Sequence, residues 1–284
     1  MRVIRKHSVP LWQRRTRPVH ADGSFDFPTQ SVGTTKWTGQ DGGPVTVYFD
    51  PSLPDDAQSK AQDILSRMDD LMAYLDQVFA VQGKAGNVII AAVNGATDGS
   101  GGAYHYDCGF DSDTPGGSDW YEDYSSDTVE IFGLVMAEVS ESYMGLQGKG
   151  WNCGGSGGEG LSRFLAEIVS GGPNGSLAAY ATGPSYDGSN WIDQDQGTDQ
   201  DYPSIGCSIL YLWWMVSQGY TPAQICQAGE PDGTLASNWG LLTGKDKSGA
   251  WPAFQQAIQA VGQINSDNPW NTATPPYPLP KGKP

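Results

Sequence analysis

Residues 129–146 read VEIFGLVMAEVSESYMGL, and they determine how the rest of the chain is interpreted. Apolar residues recur in this stretch at the three- and four-residue spacing of an amphipathic helix. Glu138 and Glu141 are three residues apart, so they share one face of that helix. Apolar residues such as Val139 and Tyr143 surround them, and the stretch contains no lysine. Because exposed helix faces usually mix both charge signs, the pattern predicts a half-buried carboxylate pair, and a solvent-facing pair is the alternative.

A Gly-rich segment, residues 148–158, ends this helix, and a second helix is predicted over residues 159–169. Glu159 opens the second helix, and Arg163 lies one turn later on the same face. If Glu159 closes on the first helix, three carboxylates share one cleft and repel each other. A bound cation, a proton on one carboxylate, or pairing with Arg163 must then compensate.

The sequence before these helices predicts strands and one long helix. Residues 45–50 and 87–93 are predicted to be core strands, and residues 103–110 an edge or near-edge strand. Residues 51–80 show helical periodicity after an acidic first turn. Residues 111–127 are crowded with carboxylates and aromatic side chains, and a loop is predicted there. Together these elements predict an α+β fold with a mixed sheet.

The sequence after the second helix predicts a mainly helical region. Apolar periodicity predicts helices at residues 205–218, 222–228 and 251–261. The predicted units are a basic N-terminal arm with a lead-in (1–43), an α+β domain (44–170), a helical C-terminal subdomain (171–271) and a Pro-rich tail (272–284).

The order of these elements and two motifs resemble the zincin metallopeptidases. Those enzymes carry H-E-x-x-H on the helix after the edge strand, and residues 137–141 here read AEVSE. In the gluzincin group a glutamate ligand follows on the next helix. Glu159 lies in GGEGLSRFLAE, with 17 residues between it and Glu141. This phrase is also similar to the plant basic secretory protein family. The resemblance covers about residues 45–170 and implies a zincin-like sheet with an active-site helix.

The motif departs from the zincin pattern because neither histidine position holds a histidine. The chain contains only three histidines, so the usual two-histidine zinc site is excluded and zinc is not expected. The carboxylates of Glu138, Glu141 and Glu159 are the candidate catalytic and metal-binding groups. Oxygen ligands favour Ca²⁺ or another hard divalent cation such as Mg²⁺ or Mn²⁺. His105, on the predicted edge strand, is the candidate for an additional nitrogen ligand or a proton shuttle.

Two acidic loops predict further calcium ligands. Asp193, Asp195 and Asp199 alternate around Gly197 in DQDQGTDQD, which resembles the start of an EF-hand loop without its terminal glutamate. Residues 111–119 hold a second acidic set beside two glycines. The alternative for each loop is a solvated acidic turn.

The charge of the chain excludes a general nucleic-acid binder. Its 284 residues include 16 Lys and Arg against 32 Asp and Glu, so most of its surface repels a polyanion. Six of the basic residues fall within residues 1–20, which contain no acid. This arm is either frayed or docks on its own domain, a neighbouring subunit or an anionic partner. No membrane span or signal peptide is predicted.

Four cysteines are present, without a C-x-x-C pair or a histidine cluster that would indicate a zinc knuckle. Two disulfides are predicted, and Cys108 with Cys153 and Cys207 with Cys226 are the favoured pairs of three possible pairings. In a reducing compartment the alternative is four buried thiols. The loop-rich composition favours an extracytoplasmic or particle-associated protein.

Three hypotheses for function remain at this point. The first is a divergent zincin-like protein, either a carboxylate-based metallohydrolase or a pseudoenzyme with a binding or assembly role, with a peptide as its ligand. The second is a glycan-active hydrolase or glycan-binding protein. It rests on paired glutamates and on aromatic residues in acidic loops, which are typical of sugar clefts: Trp120, Tyr121, Tyr124, Trp151 and Trp191. The third is a structural particle- or filament-associated protein that self-associates through the basic arm.

Overall fold

The computed structural model describes residues 25–111, 116–197 and 200–279. It has an α+β fold, as predicted, with one mixed sheet and helices packed against it. The strands are β1 (Gln30–Thr34), β2 (Val45–Phe49), β3 (Gly86–Ala91), β4 (Ala103–Tyr104) and β5 (Ser118–Asp123). The helices are α1 (Ala57–Phe79), α2 (Thr128–Gln147), α3 (Ser156–Val169), α4 (Tyr202–Ser217), α5 (Pro222–Gln227), α6 (Leu235–Thr243) and α7 (Ala250–Val261).

The sheet has the strand order β1-β2-β3-β5-β4. Strands β2, β3 and β5 are parallel, whereas β1 and β4 are antiparallel to their neighbours. Every residue of β3 is buried, as expected for a parallel strand covered on both faces. β4 lies at the end of the sheet, which confirms the predicted edge position.

Strand β5 corrects the prediction of a loop over residues 111–127. The acidic residues of its sequence, SDWYED, indicated solvent exposure, yet all six residues are buried. Side chains alternate along a strand, so Trp120 and Glu122 share the face that is covered by the helices, while Tyr121 packs on the opposite face. The predicted edge strand is also shorter than expected, because regular pairing stops at Tyr104. Two elements were not predicted: β1, in the lead-in, and α6.

The main core lies between one face of the sheet and helices α1 to α4. It is one continuous cluster that extends from Val45 on β2 to Phe254 on α7. Helix α3 begins at Ser156, three residues earlier than predicted. Gly160 lets α3 approach α4 closely, because a Cβ at this position would lie 2.4 Å from the Cβ of Ser208. α3 is therefore packed closely against α4.

One of the two predicted disulfides is present. Cys108 and Cys153 are bonded, with their Cα atoms 5.6 Å apart, which confirms that pairing. The prediction for Cys207 and Cys226 is wrong, since both are separate buried thiols. Cys207 lies on α4 and Cys226 on α5, and both belong to the main hydrophobic core.

Some predictions fall outside the described residues. They are the basic arm within residues 1–20, the end of the Pro-rich tail, Asp113 and Asp199. Within the described part of the chain, every helix is too short or too polar to cross a membrane.

Candidate functional site

His105 follows β4 directly and lies between the two glutamates of α2. Its Nδ1 is 2.7 Å from Oε2 of Glu138, and its Nε2 is 3.9 Å from Oε2 of Glu141. The side chains of His105, Glu138 and Glu141 are only 2%, 10% and 3% exposed, respectively. The predicted carboxylate pair is therefore buried, and the solvent-facing alternative for these two residues is wrong.

Glu159 of α3 joins this group, as the sequence predicted. Burial raises the pKa of Glu141 well above its usual range, and the negative charges of Glu159 and Glu138 raise it further. The Ser162 hydroxyl and the Arg163 guanidinium lower the same pKa in part. Glu159 is itself 5% exposed. We refer to His105, Glu138, Glu141 and Glu159 as the helix-pair cluster.

Glu122 of β5 borders the helix-pair cluster and was missed by sequence analysis. It is fully buried, and neither carboxylate oxygen has a hydrogen-bond partner in the described part of the chain. Burial raises its pKa well above the usual range, and Glu138 raises it further. Its only sequence signal was the two-residue alternation with Trp120, which the acidic neighbours obscured. Glu122 is thus a buried carboxyl group behind the cluster, in surroundings that favour its neutral form.

The spacing of donor atoms in the cluster suits a bound cation. A separation of 3.9 Å is too long for a hydrogen bond, whereas two ligands of one ion are about 3 to 4 Å apart. Oε2 of Glu141 has no hydrogen-bond partner among the residues that the structure describes. Glu138 contacts the other ring nitrogen of His105, which is how carboxylates orient histidine ligands.

The formal charges of the cluster do not balance. Glu138, Glu141 and Glu159 carry three formal negative charges, and Arg163 supplies one positive charge within electrostatic range of Glu141. The remaining two formal negative charges are costly in a buried environment unless they are compensated. A divalent cation compensates both, whereas a proton on Glu141, which its raised pKa favours, compensates one.

A shallow cleft at the sheet edge is lined by His105 of the helix-pair cluster. Three acidic residues, Asp107, Asp111 and Asp119, also line it. Acidic walls in a low-dielectric cleft raise the local concentration of cations.

The predicted calcium ligands in residues 193–199 have other partners. Asp195 accepts hydrogen bonds from the Ser156 hydroxyl (2.6 Å) and the Gly157 amide (2.7 Å), so it caps the N-terminus of α3. Asp193 accepts one from the side-chain amide of Asn190 at 2.6 Å. Asp199, the third predicted ligand, lies outside the described residues. The calcium site in this loop stays a prediction, and the cap explains the position of Asp195 without an ion.

The aromatic residues proposed to line a sugar cleft are mostly core residues. Trp120, Tyr121, Tyr124 and Trp151 are all buried, so they offer no exposed stacking surface. Trp120 and Tyr121 lie on β5, which corrects the loop prediction for them, whereas Tyr124 and Trp151 lie in loops as predicted. Trp191 alone is half-buried, and it lines a separate cleft of about 380 Å³ beside the N-terminus of α3. That cleft contains no residue of the helix-pair cluster. The half-buried aromatic residue and the paired glutamates therefore do not share one cleft, as the glycan hypothesis requires.

Comparison with known proteins adds no assignment. No protein-family model matches this chain, and no curated protein matches it.

Proposed function

We propose that this chain is a divergent zincin-like protein whose helix pair binds one divalent cation. His105 and Glu141 are the protein ligands, Glu138 orients His105 from behind, and Glu159 adds negative charge within electrostatic range of Glu141. The observation that carries the proposal is the position of His105, with Glu138 on one ring nitrogen at 2.7 Å and Glu141 3.9 Å from the other. The antiparallel edge strand before α2 and the glutamate in the first turn of α3 are the features that the zincin resemblance implies.

The zinc ion of the zincin family does not fit at the family's own ligand positions. Ala137 occupies the first histidine position and offers no ligand atom. His105 comes instead from the sheet edge, so the donor set has one nitrogen and carboxylate oxygens. Such a set suits Mn²⁺ better than Ca²⁺, because Ca²⁺ prefers oxygen ligands alone.

Glu138 holds the position of the general base in the resembling family, but its contact here favours a different role. Its Oε2 lies 2.7 Å from Nδ1 of His105, and an ionised carboxylate at that distance can only accept a hydrogen bond, which selects the tautomer with a proton on Nδ1. A carboxylate in this arrangement fixes the ring and its tautomer. We therefore assign a cation-dependent binding or assembly role, which makes the protein a pseudoenzyme. A metallohydrolase is the second candidate, since the side chain of Glu138 is more exposed than those of His105 and Glu141.

Titration of the full oxidised chain with Mn²⁺ tests the cation site. The wild type should bind one ion, and Glu141→Gln should weaken binding by about 100-fold because a ligand charge is lost. Glu167→Gln is the matched control, since Glu167 is a buried glutamate at the other end of α3. Its affinity should equal that of the wild type. Absence of saturable binding, or equal affinities for Glu141→Gln and the wild type, would contradict the proposal.

The choice between binding and hydrolysis depends on Glu138. Glu138→Gln should weaken Mn²⁺ binding by about 10-fold, as expected for a group that positions a ligand. The Mn²⁺-loaded wild type should release no peptides from a denatured protein substrate. If the wild type does release peptides, and Glu138→Gln binds the ion but has lost that activity, the metallohydrolase is correct instead.

A further inference from the structure

The disulfide lies against the helix-pair cluster. Cys153 Sγ, a ring nitrogen of His105 and a carboxylate oxygen of Glu141 all lie within 4.8 Å of one another. That arrangement is a metal-ligand triad in which one member is blocked, because Cys153 is bonded to Cys108. A disulfide sulfur is not a thiolate and does not serve as a strong metal ligand. The triad is therefore complete only after the bridge is reduced.

We propose that reduction of the Cys108–Cys153 bridge creates a zinc site made of Cys153, His105 and Glu141. The inference rests on the location of the proposed cation site, which it deepens by adding redox control of the metal. One thiolate, one imidazole and one carboxylate with an open fourth position form a donor set that zinc commonly occupies. The oxidised chain offers a hard, mainly oxygen set, and the reduced chain offers a softer one.

The two cysteines differ in exposure, which determines the course of reduction. Cys108 is exposed, whereas Cys153 is only 9% exposed. A thiolate of an external dithiol attacks Sγ of Cys108 and forms a mixed disulfide there. The Cys108–Cys153 bond breaks, and its electron pair leaves on Cys153 as a thiolate beside His105. The second thiolate of the dithiol then attacks the mixed disulfide, so the dithiol is oxidised to a disulfide and Cys108 is released as a thiolate.

The segment that carries Cys153 has anchors other than the bridge. The indole N–H of Trp151 donates to the carbonyl oxygen of Cys226 at 3.1 Å. The Gly155 amide donates to the Asn152 carbonyl oxygen at 3.1 Å, immediately before the start of α3. Asp195 caps the first turn of that helix. Cys153 is thus held on both sides after the bridge opens, which keeps its sulfur close to His105 and Glu141.

Glu141 supplies an independent indication that this position takes a ligand. Its Oε2 is one of the buried side-chain oxygens without a hydrogen-bond partner in the described ranges. The Glu141 side chain is 3% exposed, so water does not readily satisfy that oxygen. Zinc bound by Cys153 and His105 would satisfy it directly.

Two serine variants that lose the same bridge provide the sharpest test. Cys108→Ser leaves the Cys153 thiol in place, whereas Cys153→Ser removes it. Both keep Cys207 and Cys226 as buried thiols, so any effect of the lost bridge on stability is matched. Co²⁺ is the spectroscopic probe for the zinc site, because a thiolate ligand gives a sulfur-to-cobalt charge-transfer band. Cys108→Ser should show this band without any reductant, and Cys153→Ser should not show it.

The wild type should also gain the zinc site once the Cys153 thiol is free. After reduction with a dithiol and anaerobic removal of the reagent, its Zn²⁺ affinity should rise by about 100-fold or more, with little change for Mn²⁺. Equal Zn²⁺ affinities before and after reduction, or identical Co²⁺ spectra for the two serine variants, would overturn the proposal. If the variants do not fold, the reduced wild type and its His105→Gln variant decide the question, since loss of His105 should lower Zn²⁺ affinity.

Failure of this inference is distinguishable from failure of the proposed function. Mn²⁺ binding by the oxidised wild type depends on His105 and Glu141 as ligands, and not on a thiolate. Saturable Mn²⁺ binding without a sulfur-to-cobalt band after reduction overturns the zinc site alone. A cobalt band in the reduced chain without Mn²⁺ binding in the oxidised chain overturns the proposed function alone.

Discussion

Both ends of α3 carry buried carboxylates, but the two groups are satisfied in different ways. At the first turn, Glu159 belongs to the helix-pair cluster, where Oε2 of Glu141 has no hydrogen-bond partner among described residues. At the last turn, Glu167 accepts from the indole N–H of Trp213 at 2.8 Å and shares a hydrogen bond with Asp267. We refer to Glu167 and Asp267 as the acid pair. Burial alone therefore does not distinguish a ligand site from a structural one, whereas the supply of protein donors does.

The acid pair connects three parts of the fold. Asp267 accepts from the amide of Thr182 at 2.9 Å and also from the amide of Gly183. Burial raises the pKa of Glu167 well above its usual range, and the contact with Asp267 raises it further. One shared proton satisfies both acids, and Trp213 and the two amides supply the remaining donors. This arrangement needs no external cation.

Asp267→Ala should produce the largest effect on stability, a loss of about 3 kcal/mol in the free energy of unfolding. The change leaves the amides of Thr182 and Gly183 buried without an acceptor and removes the partner of Glu167. Urea denaturation in cation-free buffer measures it. Asp193→Ala is the control, because Asp193 is exposed and should change stability by no more than about 0.5 kcal/mol. A loss below 1 kcal/mol for Asp267→Ala would contradict the structural role that we assign to the acid pair.

The acid pair should also make stability fall as pH rises. The folded-state pKa of Glu167 is raised, so the folded chain holds a proton that the unfolded chain releases above its ordinary carboxyl pKa. This stabilisation is present below the unfolded pKa and is lost as pH rises toward the folded value. The slope is up to about 1.4 kcal/mol per pH unit for one proton. Trp213 and Arg163 also face Glu167 and oppose the shift in part.

Glu167→Gln isolates this contribution. The amide keeps a hydrogen-bond donor toward Asp267 but does not titrate, so the fall of stability with pH above the ordinary carboxyl range should be shallower than in the wild type. Thermal unfolding at a series of pH values in chelator measures both curves. Parallel curves would show that Glu167 does not hold the proton.

The sequence predicted much of the helix-pair cluster because its determinants are local. The three-residue spacing of Glu138 and Glu141 fixes their common face, and the Gly-rich turn brings Glu159 back toward them. His105 was named as a candidate from its place on the edge strand. Its contact with Glu138 depends on the sheet edge lying over α2, which the strand order decides and the local pattern does not encode.

The errors have a common physical cause. Strand β5 inserts between β3 and β4, and this long-range pairing buries Asp119, Glu122 and Asp123 despite their polarity. A pattern based on polarity assigns such a segment to a loop. For the same reason, sequence analysis did not identify Glu122 as a buried residue next to the cluster. The Cys207 and Cys226 pairing failed because closeness in sequence was read as closeness in space, whereas the two residues are separate buried thiols on α4 and α5.

Glu122→Leu should stabilise the chain by about 1 to 2 kcal/mol in cation-free buffer. A fully buried carboxyl group without a hydrogen-bond partner costs free energy that an apolar side chain of similar volume does not. Glu122→Gln is the control, because it retains a polar group and should give little or no gain. Denaturant unfolding compares the three proteins. A loss of stability for Glu122→Leu would show that Glu122 makes a stabilising polar contact. Glu122 would then be a structural carboxyl group, like the acid pair.

The smallest effect is expected for Glu141→Gln in chelator, where stability should be unchanged or raised by no more than about 1 kcal/mol. Glu159 and Glu138 both disfavour a charge on Glu141, so a neutral isostere relieves repulsion. Adding Mn²⁺ at about 100 times the wild-type dissociation constant should stabilise the wild type by about 2.7 kcal/mol and Glu141→Gln by only about 0.4 kcal/mol. Thermal or urea unfolding with and without Mn²⁺ gives all four values. A clear loss of stability in chelator would show that Glu141 makes a structural hydrogen bond, with Ser162 as its partner, and both ends of α3 would then carry carboxylates of the same structural kind.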